Sequence, residues 1–110
     1  MSSRRGHNRE RQVKALLESQ DWFVTRAAGS LGDADLVALK VGHTPRIIEV
    51  KSTAAGPYHS FSPKDRADIL YAAHIAGAVA ELCWWPPRGK PHWIGSMEWP
   101  GVKVPVERAA

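Results

Sequence analysis

Two stretches decide the fold: Asp35-Leu-Val-Ala-Leu-Lys40 and Arg46-Ile-Ile-Glu-Val-Lys51, joined by a short turn from Val41 to Pro45. Both have the composition of strands, so together they predict a β-hairpin. Side chains alternate along a strand, so Glu49 and Lys51 project to one face while Ile48 and Val50 project to the other. Taken alone, Glu49 and Lys51 read as an exposed ion pair worth ~0–1 kcal/mol. Asp35 opens the first strand of the hairpin, and Asp33 lies two residues before it. If the strand already runs that far, the two aspartates point the same way. Alone, each reads as a loop or turn acid beside glycine.

Upstream of the hairpin, Trp22 to Ala27 is rich in strand formers, and Ala28-Gly29-Ser30-Leu31-Gly32-Asp33 is a loop. Residues 7–20 carry Val13, Leu16 and Leu17 at helical spacing and predict an amphipathic helix. Downstream, residues 53–61 read as a loop. Ser62, Pro63 and Asp65 then form a cap, a first-turn proline and a capping box for a second helix. Ile69, Ala73 and Ala76 line one face of it with Leu70 alongside, and Gly77 is its stop. Ala78 to Trp85 reads as a buried strand closed by Pro86-Pro87, and His92 to Ile94 as a short last strand. The order α-β-β-β-α-β-β predicts an α/β fold, a mixed β-sheet flanked by helices.

The chain has 110 residues, enough for one domain with a thin core, and a partner subunit would help to bury it. Fifteen Lys and Arg against eleven Asp and Glu give a net charge of +4, which suits a polyanionic partner. No apolar run is long enough to cross a membrane. The N-terminal Met1-Ser-Ser-Arg-Arg-Gly-His lacks the apolar stretch of a signal peptide. With one cysteine, Cys83, there is neither an internal disulfide nor a Cys-rich zinc site. The expected location is cytoplasmic.

The candidate chemistry comes from acids brought together. Glu10 lies three residues before Val13 and so shares the apolar face of the first helix. A carboxylate on a buried stripe needs a metal or a partner, the plain alternative being a Lys or Arg at the stripe's edge. In a hairpin, Asp35, Glu49 and Lys51 come to one place. Two hard oxygen donors plus the Val50 backbone carbonyl suit Mg2+ or Mn2+. The lysine can orient an attacking water and balance phosphate charge, and Glu10 is a third carboxylate. This is equipment for metal-assisted attack of water on a phosphodiester. Arg4, Arg5, Arg9, Arg11 and Lys14 crowd the start of the first helix, where the dipole disfavours cations; a solvated face and neutralisation by phosphates both account for them.

The pattern Asp35…Glu49-Val-Lys51 resembles the motif of the PD-(D/E)XK nuclease superfamily, whose restriction-endonuclease-like core is such an α/β sheet. Within it the chain is most similar to archaeal-type Holliday junction resolvases. Arg5-Gly6-x-x-x-Glu10-Arg11 resembles that family's first-helix signature, and Val24-x-Arg26-x-Ala28-Gly29-Ser30 its loop. Asp35-Leu-Val-Ala38 and Ile48-Glu-Val-Lys-Ser52 complete the site, and Pro63-Lys64-Asp65 resembles the second half more loosely. The first proline of the superfamily label is replaced by Ala34.

The resemblance implies a single nuclease domain over residues 1–110, with 4–85 as the family core and 86–110 as a C-terminal extension. It implies a crossover junction endodeoxyribonuclease: a structure-selective, divalent-metal-dependent enzyme that resolves four-way DNA junctions by paired symmetric nicks. Mg2+ is the expected ion and Mn2+ a substitute. Asp35 and Glu49 would bind the metal with the Val50 carbonyl, Glu10 would assist, and Lys51 would position the water. Arg4, Arg5, Arg9, Arg11, Arg26, Ser30 and Lys64 are the candidate DNA contacts. A two-fold substrate cut on two strands calls for a homodimer. The apolar side of the second helix and the Trp-rich C-terminal region are its candidate faces. The alternatives are a nuclease of the same fold acting on flaps, nicks or restriction-type sites, and a DNA- or RNA-binding module without catalysis. Trp84, Trp85, Trp93 and Trp99, four of the five tryptophans, are expected in core or interface, with stacking on unpaired bases as the other use.

Overall fold

In the computed structural model the described residues are 4–27 and 35–102, with side chains described from residue 8 onward. Helix α1 (Arg4–Glu18) leads into strands β1 (Phe23–Arg26), β2 (Leu36–Leu39) and β3 (Arg46–Lys51). Helix α2 (Pro63–Ala76) follows, then β4 (Val79–Trp84), β5 (His92–Gly95) and one 3-10 turn (Ser96–Glu98). The α-β-β-β-α-β-β order and the hairpin are those predicted, with α1 starting three residues earlier than the periodicity placed it.

The five strands form one sheet in the order β1-β2-β3-β4-β5. The β3–β4 pair is parallel and the others are antiparallel, so the sheet is mixed. A parallel neighbour cannot be reached by a tight turn, and α2 is the crossover that delivers the chain from β3 to β4. Its ends follow their local chemistry. The Ser62 side chain accepts the Asp65 amide at 3.1 Å, and Gly77 closes the helix at φ 64°, a left-handed conformation that suits glycine.

Each face of the sheet carries its own core. Val13 and Leu17 of α1 pack on Val24, Leu36, Ala38, Ile48, Val50 and Cys83. On the other face Ile69, Leu70 and Ala73 of α2 join Phe61, Ile47, Ala80, Leu82 and Trp99. The apolar side of α2, expected as a dimer face, is therefore occupied by the chain's own sheet. What α2 leaves outward is Tyr71, Ile75 and also Ala76, which the spacing had placed inside. Residues 86–102 are built into the domain: they supply β5, and Trp99 meets Phe61 edge-on at 5.0 Å. Buried Arg66 ties that segment down, donating to the carbonyls of Phe61 (2.9 Å) and Pro100. Among the described residues no helix is long and apolar enough to cross a membrane.

Candidate active site

The site lies where β3 ends beside the start of β2. Alternation along β3 sends Ile48 and Val50 into the α1 core and Glu49 and Lys51 toward the α2 face, as the sequence predicts. Glu49 is not on an exposed surface, however. Only 4% of it is accessible, and its Oε2 lies 3.0 Å from Lys51 Nζ. The Lys51 ammonium in turn lies 5.8 Å from the ring of buried Phe61. The isolated-pair reading thus fails because α2 and the 52–61 loop cover this end of β3.

Asp35 is held by backbone on both sides. Its N–H donates to the Ile48 carbonyl at 3.0 Å, and its own carbonyl accepts from Ala27 N–H at 2.9 Å. Its Oδ2 accepts the Val50 amide at 2.8 Å. That bond identifies the edge of Val50 that faces Asp35, and in an extended strand the Val50 carbonyl projects from the same edge.

The electrostatics are costly by design of the site. Burial pushes Asp35 up to about 6, aided by the nearby Glu10 charge and opposed mainly by the Val50 amide. Burial, then the Asp35 charge, pushes Glu49 up to about 9, against the pull of Lys51. Two ionised carboxylates cannot hydrogen-bond to each other; a proton on Glu49 lets it donate to Asp35 and relieves the repulsion. As a carboxylate, Glu49 leaves Oε1 buried with no partner, and among the described residues no other buried side-chain N or O atom is so placed. An orphaned oxygen beside a second carboxylate is the electrostatic setting of a cation site. The donor set is all oxygen, which fits a hard divalent ion.

The remaining predicted residues divide. Glu10, 14% exposed at its side chain, lies near enough to raise Asp35 but is engaged by Arg26 at 3.1 Å. Among the described residues no three Asp, Glu, His or Cys side chains converge as a metal-binding group. Arg9 is turned to internal use: it donates to the Pro86 carbonyl at 2.8 Å and its guanidinium stacks 4.6 Å over Trp85. Arg11 is exposed on α1, and Lys64 pairs with Asp68 at 2.7 Å on the surface of α2. Arg4 and Arg5 lie in the first turn of α1, with side chains outside the described residues, as are Ser30, Asp33 and the rest of 28–34. The sequence reading did not single out Arg66, nor the Arg46–Glu81 pair at the opposite end of β3. Cross-strand register would have been needed to find that pair, and register is not written in either strand alone.

The family model for archaeal Holliday junction resolvases (Hjc) matches residues 1–97. Among solved structures, that of Hjc from Archaeoglobus fulgidus, a Holliday junction resolvase from an archaeal hyperthermophile, is similar with a TM-score of 0.66. The alignment covers 84% of this chain and 74% of that one at 23% identity, a level that speaks to the fold. Curated proteins give no significant match. The mixed sheet, the buried acidic pair beside a lysine and the family match over nearly all of the chain lead to one conclusion: this protein belongs to the archaeal Holliday junction resolvase family, homodimeric divalent-metal-dependent endodeoxyribonucleases that resolve four-way DNA junctions.

Proposed function

We propose that Asp35 and Glu49, with the Val50 carbonyl, hold Mg2+, and that this single site per chain performs the cut in each subunit of the dimer. The observation that carries the reading is the buried, unpartnered Oε1 of Glu49 beside Asp35. Mn2+ is expected to substitute, because it accepts the same oxygen donors. When bound, the ion supplies Lewis-acid polarisation of a phosphate oxygen and lowers the pKa of water.

The protein's own groups do the rest. Lys51, fixed by Glu49 at 3.0 Å and backed by Phe61, orients the attacking water and offsets the charge that develops on the phosphate. Glu10, through its bridge to Arg26, sets the position of an arginine that faces the incoming phosphate. Water oxygen bonds to phosphorus, the bond from phosphorus to the 3′ oxygen breaks, and the products are a 5′-phosphate and a 3′-hydroxyl. Arg11, Arg26 and Lys64, with Arg4, Arg5 and Ser30, contact the backbone, which gives selectivity for shape rather than sequence. Arg9 would contribute by holding α1 against the β4–β5 connection. The chain acts as one nuclease domain in the cytoplasm, on the branched DNA found there.

The test is cleavage of an end-labelled immobile four-way junction with Mg2+, both cuts being mapped. Paired symmetric nicks near the branch point are expected, with Asp35→Asn inactive while still binding the junction. Equal rates on flaps and linear duplex would instead assign another substrate. Binding without cleavage in both Mg2+ and Mn2+ would make the protein a non-catalytic module.

A further inference from the structure

Next to the acidic pair the sheet carries a row of side chains that the cleavage chemistry does not use. Lys51 on β3 is the register partner of Trp84 on β4, and Trp84 is the partner of His92 on β5. Register partners project to the same side of a sheet about 5 Å apart, so the row runs outward from the catalytic lysine. Trp84 and His92 are stacked, with ring centroids 5.2 Å apart and planes 30° from parallel.

Three observations set this pair apart. Of the five tryptophans, Trp99 is buried in one core layer, and Trp22, Trp85 and Trp93 pack against the other. Trp84 belongs to neither core layer, although it lies on an interior strand. Its indole N–H donates to the Thr53 carbonyl at 2.7 Å, in a turn closed by the Ala55 amide on Thr53 Oγ1. The ring is thus fixed by its edge and stacked on His92, and it is only half-buried. His92 is exposed, and the β4–β5 connection beside it carries Arg88 and Lys90, both exposed cations. A rigid aromatic step beside cations and one strand from the catalytic lysine suits a nucleotide.

We propose that Trp84 and His92 form a stacking wall for an unpaired or unstacked nucleobase of the scissile strand at the branch point. Inside continuous duplex the base faces are covered by their neighbours, whereas at a branch a base can be offered to a ring. The wall would therefore discriminate junction from linear duplex through the base face rather than through base identity, because every base has a π-face. The inference rests on the assignment of the catalytic site to Asp35, Glu49 and Lys51.

The experiment uses full-length protein and a junction carrying 5-iodouracil at positions flanking the branch, with Ca2+ replacing Mg2+ so that crosslinking is read without cleavage. Irradiation is expected to yield an adduct on Trp84 or His92, lost with matched linear duplex. In cleavage assays Trp84→Ala should raise KM for the junction about tenfold with a smaller change in kcat, and His92→Ala about threefold. Trp84→Phe keeps a ring but loses the bond to Thr53; it should retain most of the wild-type KM. If Trp84→Phe matches Trp84→Ala in both KM and thermal midpoint, Trp84 only anchors the 52–56 turn and the proposal is overturned. Adducts elsewhere, or equal adducts on linear duplex, overturn it too. Failure of the catalytic assignment looks different: wild-type protein would not cut, yet the crosslink pattern would still be read.

Discussion

Strand β3 has a charged residue shielded from solvent near each end, Arg46 half-buried and Glu49 buried, and the two are treated in opposite ways. At its start Arg46 is paired. Its Nε and Nη2 both bond Glu81 on the neighbouring strand, and its guanidinium lies between Trp22 (4.8 Å) and Trp93 (5.0 Å). Three residues later, Glu49 keeps a buried oxygen with no partner, faces a second acid and is pushed up to about 9. Both ends are at least partly desolvated, so burial alone does not separate a satisfied charge from an unsatisfied one. Partner accounting does. A satisfied buried pair has finished its chemistry, whereas an unsatisfied one is stable only with a proton or a cation.

Substitutions at the two ends should act in opposite directions. Glu49→Gln should lower junction cleavage on the order of 10³-fold or more while binding to the junction survives. The same change should stabilise the metal-free protein above neutral pH. Glu49 has its pKa raised on folding, from 4.5 to about 9. The folded chain therefore holds a proton that the unfolded chain gives up, and stability falls as pH rises through that window. Thermal midpoints of metal-free wild type should decline between those pH values, and the decline should be much reduced in Glu49→Gln. A flat wild-type profile would remove the electrostatic basis of the comparison.

At the other end, Glu81→Ala strands a half-buried guanidinium. The loss should be about 2 kcal/mol, less than for a fully buried pair because both side chains keep some access to solvent. The midpoint should drop by roughly 10 °C, with kcat on the folded protein unchanged. A large fall in kcat at low temperature would mean that the two ends are coupled. Replacing both partners by apolar residues should recover most of the loss. The smallest effect is expected from Arg11→Ala on the exposed side of α1. Junction affinity should weaken a few-fold and the slope of log affinity against log salt should fall by about one, with the cut positions unmoved.

Much of this was legible in the chain itself because the signals are local. Ser62, Pro63 and Gly77 mark α2 through hydrogen bonds and backbone conformations only a few residues away. The alternation of Arg46–Lys51 assigns Glu49 and Lys51 to one face whatever covers it. Asp35 and the Glu49-Val-Lys51 run point to a metal-dependent phosphodiesterase site through residue type, order and spacing. The unreadable part is non-local. Arg9 looked like a DNA contact among other arginines until the fold brought Pro86 and Trp85 to it across 77 residues.

The sequence by itself therefore determined the order of elements, the hairpin and the shared face of Glu49 and Lys51, since each depends on neighbours within a turn or a strand. Tertiary structure alone decided which charges are spent. It placed the carboxyl of Glu49 in a desolvated pocket, matched Arg46 to Glu81, and set Trp84 between Lys51 and His92. The reason is physical: desolvation and cross-strand register arise only when distant segments pack, and no local pattern along the chain encodes which faces will meet.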